Sequence, residues 1–274
     1  MTLSKKKFTL PSYDGDELRR QCPPWILKVD LFDEIESTNT YLLETAPHQP
    51  TLVVAHHQSA GRGTHQRSFY CAPHEGLYVS FSVNEQLDFP ISLVIGASIL
   101  SALLDHGFQP SIKWVNDIMI ENKKIGGILC ETYAHGFIVG FGINVSVSSF
   151  PEELKNRAGS LHEFTDAVIN PLELCSSILN HFTINMKHPR RVQHIINEHL
   201  LYNQEDVVIH HCDKKYEGTI LGINQEGHLL LNTREGQLSF NTTVQSIELS
   251  HDLSWFFNSC KESLANETDL FISV

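Results

Sequence analysis

The sequence predicts an α/β (α+β) protein in which a body built on a mixed β-sheet is followed by a small β-barrel. Between Val29 and about residue 203, strand-like runs alternate with helical periodicity, and after that point short strand patterns recur between glycine-containing turns. The length of 274 residues suits one medium and one small domain, and 41% hydrophobic residues support packed cores. We expect four parts: an irregular N-terminal extension (1–28), the body (29–203), the barrel (204–252) and a packing tail (253–274).

The first half of the body is expected to alternate strands and helices. Residues 30–38 (DLFDEIEST) predict a strand, and residues 39–46 (NTYLLETA) predict a short helix with Ser37 or Thr38 as its N-cap. TLVVAHH and the alternating GLYVSFSV indicate two further strands. Apolar residues at helical spacing in ISLVIGASILSALLDHG predict a helix that ends at Gly107, since glycine commonly ends helices.

The second half of the body is predicted as strands and then helices. SIKWVNDIMIENKKIGGILCETYA predicts two short strands joined by the turn ENKK, and GFIVGFGINVS predicts another buried strand. Asn170 and Pro171 suit an N-cap and a first helical turn, and they open a helical zone through PLELCSSILNHF and RRVQHIINEHLL. The strands of the barrel are indicated by VVIHH, KYEGTILGI, GHLLLNT and GQLSF.

The composition limits the partners and the compartment. The formal net charge is −12, and nucleic-acid binding draws on clustered Lys and Arg, so we expect no DNA binding. No apolar run approaches the roughly 18 residues typical of a spanning helix, so no membrane insertion is expected. The six cysteines are scattered without a CxxC pair, which is typical of reduced thiols in a cytoplasmic protein.

Two pairs of adjacent histidines, His56-His57 and His210-His211, invite comparison with a metal site. Adjacent side chains on a strand point to opposite faces, so neither pair can chelate as a unit. We therefore expect these histidines at polar surface positions, and the sequence leaves the metal ligands unknown.

Four segments combine small or polar residues with the ends of strands and helices. Residues 36–39 (ESTN) start a helix, where exposed N–H groups favour polar or anionic ligand groups. Residues 58–67 (QSAGRGTHQR) place Arg62 between two glycines, residues 113–117 (KWVND) follow a strand, and residues 123–128 (KKIGGI) put a glycine pair inside one. Each also has an ordinary structural explanation, namely an N-cap, a glycine loop, a charged turn and a tight bend.

The cations of these segments suggest one shared site. Arg62, Arg67, Lys113 and Lys124 all lie in strand–loop contexts of an acidic chain, which favours a polyanionic small molecule as the ligand. The Walker pattern is absent, no GxGxxG fingerprint follows a first strand, and Gly140-Phe141-Gly142 is too short to count as one. A standard nucleotide-binding fold is therefore not expected.

Five short motifs in order resemble the biotin protein ligases, also called biotin–acetyl-CoA-carboxylase ligases. They are EIESTNTYLL, GRGTHQR, KWVND, KIGGIL and GFGINV, and the similarity runs from about Val29 to Val147. The later stretch EGTILGINQEGHLLLNTREGQ resembles the C-terminal SH3-like domain of that family. Each motif alone has modest specificity, whereas five in the family's order are a specific pattern.

The resemblance implies a two-step ligation. Biotin and ATP, the latter with Mg²⁺ as MgATP, would give biotinyl-5′-AMP and pyrophosphate. A specific lysine of a biotin carboxyl carrier domain would then attack the mixed anhydride. Cations must neutralise the biotin carboxylate and the α-phosphate where the two meet, and the matching positions are Arg62 and Lys124.

The resemblance also implies three sets of site residues. The catalytic set is Arg62, Lys113 and Lys124. The biotin-binding set is Ser37, Thr38, Asn39, Gln58, Gly61, Arg62, Gly63, Thr64, Lys124, Gly126 and Gly127. The ATP-binding set is Arg62, Arg67, Phe69, Lys113, Asn116, Asp117, Lys124 and Asn144, in which Asp117 and Asn144 are assigned as helpers for Mg²⁺ or water.

Three positions depart from the family pattern. Thr64 stands where the family often has a second arginine in the glycine loop, so we expect the adenylate to leak more readily here. Phe69 replaces the commoner tryptophan, which keeps a hydrophobic lid and loses an N–H donor. Val115 replaces a proline without removing the polar residues around it.

Other functions remain open at this stage. A lipoate–protein ligase or octanoyltransferase resembles the same fold and also modifies a carrier lysine, and a non-catalytic small-molecule-binding protein would keep the fold without the reaction. Family members with an N-terminal DNA-binding domain act as repressors. Fewer than thirty residues precede the body here, so the resemblance implies the short form, with no DNA or membrane partner, as a monomer or homodimer.

Overall fold

The computed structural model of the chain describes residues 15–64, 67–85, 87, 89–242, 244 and 246–250. It contains two compact units, residues 1–199 and residues 200–274. The expected tail (253–274) and the first fourteen residues of the expected extension lie outside the described residues. The rest of that extension is not irregular as predicted, because helix α1 (Gly15–Gln21) forms there. Acidic residues in its first turn and basic residues in its last suit the helix dipole, and Leu18 is fully buried.

The first unit is built on a mixed sheet of seven strands within the described residues, in the order β1-β2-β3-β7-β6-β5-β4. The β1–β2 pair is parallel and each of the other pairs is antiparallel. The mixed sheet was expected from the sequence. Its strands are β1 (Lys28–Ile35), β2 (Thr51–Gln58), β3 (Gly76–Val83), β4 (Pro110–Lys113), β5 (Asp117–Ile120), β6 (Lys123–Tyr133) and β7 (Gly136–Asn144).

The prediction of two strands around the turn ENKK was wrong. The segment forms three strands, because residues 114–116 turn the chain between β4 and β5. Trp114 is buried at this turn, and the Trp114–Val115 peptide bond is cis. The second turn is also shorter than expected, since Lys123 and Lys124 already belong to β6.

Helices α2 to α5 of the first unit begin and end close to the predicted positions. The Ser37 side chain caps α2 (Thr38–Thr45), and the Asn170 side chain caps α4 (Pro171–Asn185). Helix α3 (Ile91–Asp105) is followed by Gly107 at φ 83°, the left-handed conformation that glycine adopts at little cost. Helix α5 is Pro189–His199. No helix in the described ranges is both long and apolar enough to cross a membrane.

The helices cover opposite faces of the sheet. On one face, Leu42 of α2 packs with Val53 of β2 and Ile138 of β7. On the other face, Gly96 of α3 approaches Ile112 and Ile128 so closely that an added Cβ would lie 2.7 Å and 3.7 Å from their side chains. Because strand side chains alternate between faces, the α2 side receives Ser80, Gly127, Glu131, Gly140 and Gly142. This face therefore combines small and polar residues under α2.

The second unit is an SH3-like antiparallel sheet. In its described part, five strands lie in the order β11-β10-β9-β8-β12 around a buried apolar set that includes Val207, Ile220, Leu231 and Ile247. The last strand was not expected from the sequence, because Ser246–Leu249 alternates too briefly to stand out. The strands are β8 (Asp206–His211), β9 (Lys214–Ile223), β10 (Leu229–Thr233), β11 (Gly236–Phe240) and β12 (Ser246–Leu249).

Candidate functional site

The start of α2 is joined to the sheet by a chain of hydrogen bonds. The Thr38 backbone N–H and hydroxyl both donate to Gln58 Oε1, at 2.8 Å and 3.0 Å. Thr38 Oγ1 lies 2.6 Å from Ser80 Oγ, which donates to Asn39 Oδ1 at 2.5 Å. Asn39 Nδ2 in turn donates to Glu131 Oε2 at 2.8 Å. The predicted polar residues of α2 and β2 are thus brought together and oriented.

Arg62 extends this network from the glycine loop. Its guanidinium donates through both terminal nitrogens to the Glu131 carboxylate, at 3.1 Å and 2.8 Å. This two-point contact holds the planar fork in one orientation. Since the Arg62 side chain is 43% exposed, its remaining donors can still reach a ligand.

The glycine loop is a tight backbone hairpin. The Phe69 N–H donates to the Gly61 carbonyl and the Gly63 N–H donates to the Arg67 carbonyl, both at 2.8 Å. A Cβ at Gly61 would lie 2.6 Å from the Phe69 carbonyl and 2.8 Å from Cys71 Sγ, so this position requires glycine. Arg67 contributes its backbone to the hairpin and exposes its side chain. The tip residues 65 and 66 lie outside the described part of the chain.

Phe69 covers a hollow made by two glycines. Gly127 of β6 and Gly142 of β7 lie opposite each other in the sheet, and added Cβ atoms there would lie 3.1 Å and 2.5 Å from the Phe69 ring. Gly126 approaches backbone instead, since its Cβ would lie 2.7 Å from the Gly142 carbonyl oxygen. The glycine pair therefore has the close approach that its place inside a strand predicted.

Lys124 borders the same hollow. Its Cε lies 3.5 Å from the Cβ position of Gly127, and its ammonium donates to Asp117 Oδ1 at 2.5 Å. A β-bulge between Ile118 and Met119 shifts the register of β5 and β6 at this point. Lys113 lies opposite Asp117 in the β4–β5 pair. The predicted residues of β4, β5 and β6 are therefore neighbours.

The turn before β5 is tied to the glycine loop. Asn116 Nδ2 donates to Thr64 Oγ1 at 3.2 Å, and the Ile128 N–H donates to the Asn116 carbonyl at 2.8 Å. Thr64 thus has a neutral partner at the position where the family often has a cation.

A cavity of about 110 Å³ lies beside Phe69 and Lys124. Residues 150–159 form one wall, and their backbone is fixed by Lys124, whose N–H donates to the Arg157 carbonyl at 2.8 Å. Asn144 is buried at this cavity and donates to the Gly159 carbonyl at 2.9 Å. The lining residues are Ser68, Phe69, Tyr70, Lys124, Gly126, Asn144, Phe150, Leu154 and Ala158.

Several residues at the site were missed by sequence reasoning. Glu131 orients Arg62, Ser80 links Thr38 to Asn39, and Gly142 makes room for Phe69. Glu131 follows Gly127 by four residues on one strand, so strand alternation predicts both on one face. Cys71 also contacts the site, because Gln58 Nε2 donates to its sulfur at 3.3 Å. Burial raises the pKa of the Cys71 thiol to about 11, so the thiol is protonated at neutral pH.

The arrangement suits a ligand with an apolar part and an anionic end. Arg62 and Lys124 are each held by one carboxylate and remain partly exposed, at 43% and 37% of their side-chain surface. Near Lys124 the Phe69 ring lies over Gly127 and Gly142, and together they form an apolar surface. No side chain here forms a nucleophile–base pair like that of an acyl-transfer enzyme, so binding and charge neutralisation are the chemistry that the described site offers.

Comparisons with known proteins agree with this geometry. Residues 31–148 match the sequence profile of the biotin/lipoate A/B protein ligase family. The bifunctional ligase/repressor BirA of Bacillus spizizenii is 30% identical over an alignment that covers 76% of this chain and 69% of that protein. The biotin–[acetyl-CoA-carboxylase] ligase of Mycobacterium tuberculosis is 28% identical, with 56% and 61% of the two chains covered.

A solved structure shows that the fold is similar as well. The biotin protein ligase from Aquifex aeolicus in complex with biotin and ATP superposes with a TM-score of 0.74 and 30% sequence identity. The match covers 82% of this chain and 100% of that one. The chain therefore belongs to the biotin/lipoate A/B protein ligase family, and within it to the biotin protein ligases.

Proposed function

We propose that this chain joins biotin to a specific lysine of a biotin carboxyl carrier domain, with ATP as the energy source and biotinyl-5′-AMP as the intermediate. The proposal depends on one observation above the others. Two partly exposed cations lie against β6: Arg62 is held by Glu131, and Lys124 lies beside Gly127, where Phe69 covers the glycine hollow. Biotin has this combination of an apolar ring system and a terminal carboxylate. The Aquifex aeolicus relative, whose structure holds biotin and ATP, supports the same assignment.

In the first step, a carboxylate oxygen of biotin attacks the α-phosphorus of ATP, and the bond to the pyrophosphate oxygen breaks. Both reactants are anions, so their approach costs electrostatic free energy that cations must offset. We assign this task to Arg62 and Lys124, and we assign Lys113 and Arg67 to the triphosphate. If ATP is bound as its magnesium complex, Asp117 and Asn144 would be the residues that hold the metal or its water.

In the second step, the carrier lysine attacks the carbonyl carbon of the adenylate, and the bond to AMP breaks. The nucleophile of each step belongs to a substrate, so the enzyme contributes positioning and charge stabilisation. The Gln58–Thr38–Ser80–Asn39 network supplies fixed donors and acceptors for the ureido ring in this proposal. Phe69 packs against the ring in this proposal, and the valeryl chain passes Gly127 beside the Phe69 ring.

The remaining assignments follow from charge and chemistry. We propose no DNA partner, because the net charge of −12 opposes binding to a phosphate backbone. We place the reaction in the cytoplasm, where ATP is available. The protein acts as a monomer or a homodimer, and light scattering on the purified chain distinguishes these two states.

The first experiment measures pyrophosphate release from the purified chain with MgATP and either biotin or lipoate, without carrier protein. Release that requires biotin is the expected result. Release with lipoate instead would reassign the chain to lipoate ligation, and no release with either, from a folded sample, would favour a binding protein.

An Arg62→Glu variant tests the central assignment. Reversal of the charge places two carboxylates together at Glu131 and removes one donor from the anion site. We expect pyrophosphate release to fall by at least about 100-fold, the usual cost of removing one charge-stabilising donor. The matched control is Arg190→Glu on the exposed surface of α5, which should keep normal release. Normal turnover in Arg62→Glu would contradict the assignment.

A further inference from the structure

A second group of chemically active side chains lies outside the residues assigned to the site. Asp33 of β1, His56 of β2 and His74 in the loop before β3 each offer one ligand atom, and these atoms all lie within 4.8 Å of one another. His74 Nε2 is 3.5 Å from Asp33 Oδ1, and the two imidazole rings have centroids 4.7 Å apart. We call this group the Asp33–His56–His74 cluster.

The sheet and the loop both create the cluster. β1 and β2 are parallel in a register that pairs Phe32 with Ala55 and Glu34 with His57, so Asp33 and His56 lie side by side. His57 points to the other face, where its Nδ1 lies 3.2 Å from Glu34. His74 adopts φ 56°, and its N–H donates to the His56 carbonyl at 3.0 Å, which brings its ring over β2.

His56 is not the polar surface residue that the sequence predicted. It is only 7% exposed, and burial is the main cause that lowers its pKa. The sequence shows only that His57 adjoins His56 along the chain. In the structure the partners of His56 come from β1 and from the loop before β3.

We propose that the Asp33–His56–His74 cluster binds Zn²⁺ through two imidazole nitrogens and one carboxylate oxygen. Tetrahedral zinc with ligands at about 2.0–2.2 Å separates them by about 3.4 Å, close to the 3.5 Å between His74 and Asp33. Even at the limit of 4.8 Å, each ligand atom needs to move by less than about 0.8 Å to reach a central ion. His74 and Asp33 have room for this, since their side chains are 40% and 83% exposed.

The ligand chemistry favours zinc over the magnesium that accompanies ATP. Imidazole nitrogen suits transition metals such as Zn²⁺, whereas Mg²⁺ prefers an octahedron of oxygen ligands. A bound ion would cross-link β1, β2 and His74. His74 lies near the end of the segment between β2 and β3, which also contains Arg62 and Phe69. The cluster would thus be a clamp at the point where the chain leaves β2. This inference does not depend on the proposed function.

The test measures Zn²⁺ binding to the full chain after chelation, by titration calorimetry and by competition with a chromogenic chelator. The background is Cys212→Ser, because Cys212 Sγ lies 3.4 Å from His211 Nε2 and could capture zinc separately. We expect one saturable Zn²⁺ per chain, unaffected by excess Mg²⁺. Co²⁺ in its place should give the strong visible absorption of a four-coordinate site.

Three variants locate the site. His74→Gln and Asp33→Asn each remove one ligand from an exposed or half-exposed position, and each should weaken Zn²⁺ binding by at least about tenfold, since even indirect partners of a metal contribute that much. His57→Gln, on the same strand but the opposite face, should bind as the parent does. Parent-like binding in His74→Gln and Asp33→Asn, equal loss in His57→Gln, or no saturable binding in the parent would each overturn the proposal.

Discussion

Glu131 fixes the orientation in which the Arg62 side chain can bind an anion. An exposed arginine samples many rotamers, and holding such a side chain in one geometry costs about 0.5–1.5 kcal/mol on binding. The two hydrogen bonds to Glu131 already hold the Arg62 side chain in one geometry before a ligand binds, so binding does not incur this cost. An ion pair at this level of exposure adds only about 0–1 kcal/mol to folding. Glu131 is therefore expected to matter for binding more than for stability.

A Glu131→Gln variant tests this expectation. We expect the KM for biotin to rise by about 3- to 10-fold, the equivalent of one immobilised side chain, with little change in kcat or melting temperature. The readout is steady-state pyrophosphate release at varied biotin concentration. Glu163→Gln, which removes the partner of Lys123 rather than Arg62, is the matched control. An unchanged KM would show that Arg62 needs no such support.

Thr64 is expected to affect how fast the enzyme releases the adenylate intermediate. Its hydroxyl accepts a hydrogen bond from Asn116, so the loop has a neutral contact where a cation would attract the adenylate phosphate. Thr64→Arg should slow release of the adenylate by about tenfold, because a hydrogen bond to a charged group is worth about 1.5–3 kcal/mol. Release of labelled adenylate into a chase measures the rate. Thr64→Val removes the bond to Asn116 without adding charge, and equal release from wild type and Thr64→Arg would contradict the hypothesis.

At the scale of elements, the glycines of β6 and β7 shape the hollow. They leave one stretch of the sheet without side chains, and Phe69 fills that space from the loop. Gly142→Ala would place a methyl group 2.5 Å from the Phe69 ring and should destabilise the fold by about 1–3 kcal/mol, as overpacking does. Urea unfolding measures the change.

A double-mutant cycle separates this contact from a general effect on the strand. In a Phe69→Ala background the cost of Gly142→Ala should fall, because the clashing ring is gone. Gly140→Ala is the matched control, since its Cβ would meet Asn39 rather than Phe69, and its cost should be the same in both backgrounds. Equal costs for Gly142→Ala in the two backgrounds would exclude the Phe69 contact as the cause.

The turn between β4 and β5 was not predicted from the sequence, which indicated a single strand there. Residues 113–117 lack glycine and proline, and Asn116 and Asp117 are only a weak signal for a turn, so the segment was predicted as part of one strand. The chain nevertheless reverses, and Lys113 comes to lie opposite Asp117. Burial of Trp114 and pairing of β5 with β6 decide this, and both are long-range interactions.

At the scale of the whole molecule, ligand binding and stability are linked. A ligand at about 100 times its Kd adds about 2.7 kcal/mol to the stability of the folded state that binds it. For a unit of about 200 residues, each kcal/mol raises Tm by about 2–4 °C. Biotin at that concentration should therefore raise Tm by about 5–10 °C, measured by calorimetry, and lipoate at the same concentration should not. A larger shift with lipoate would reverse the substrate assignment.

The sequence by itself determined most of the fold, because periodicity and caps act locally. Alternation in GLYVSFSV and helical spacing in residues 91–105 are short-range patterns, and both elements form where they were expected. Ser37 and Asn170 cap their helices as predicted. The five ordered motifs also sufficed for the family, since each one keeps its residues close together along the chain.

Tertiary structure alone decided which distant side chains meet. Glu131 lies 69 residues from Arg62, and their contact depends on the loop and on the strand order of the sheet. The pairing of Lys124 with Asp117 depends on strand register, and the burial of His56 depends on the face to which its strand turns it. Hydrogen bonds and packing of this kind act through space, so the order of residues along the chain does not reveal them.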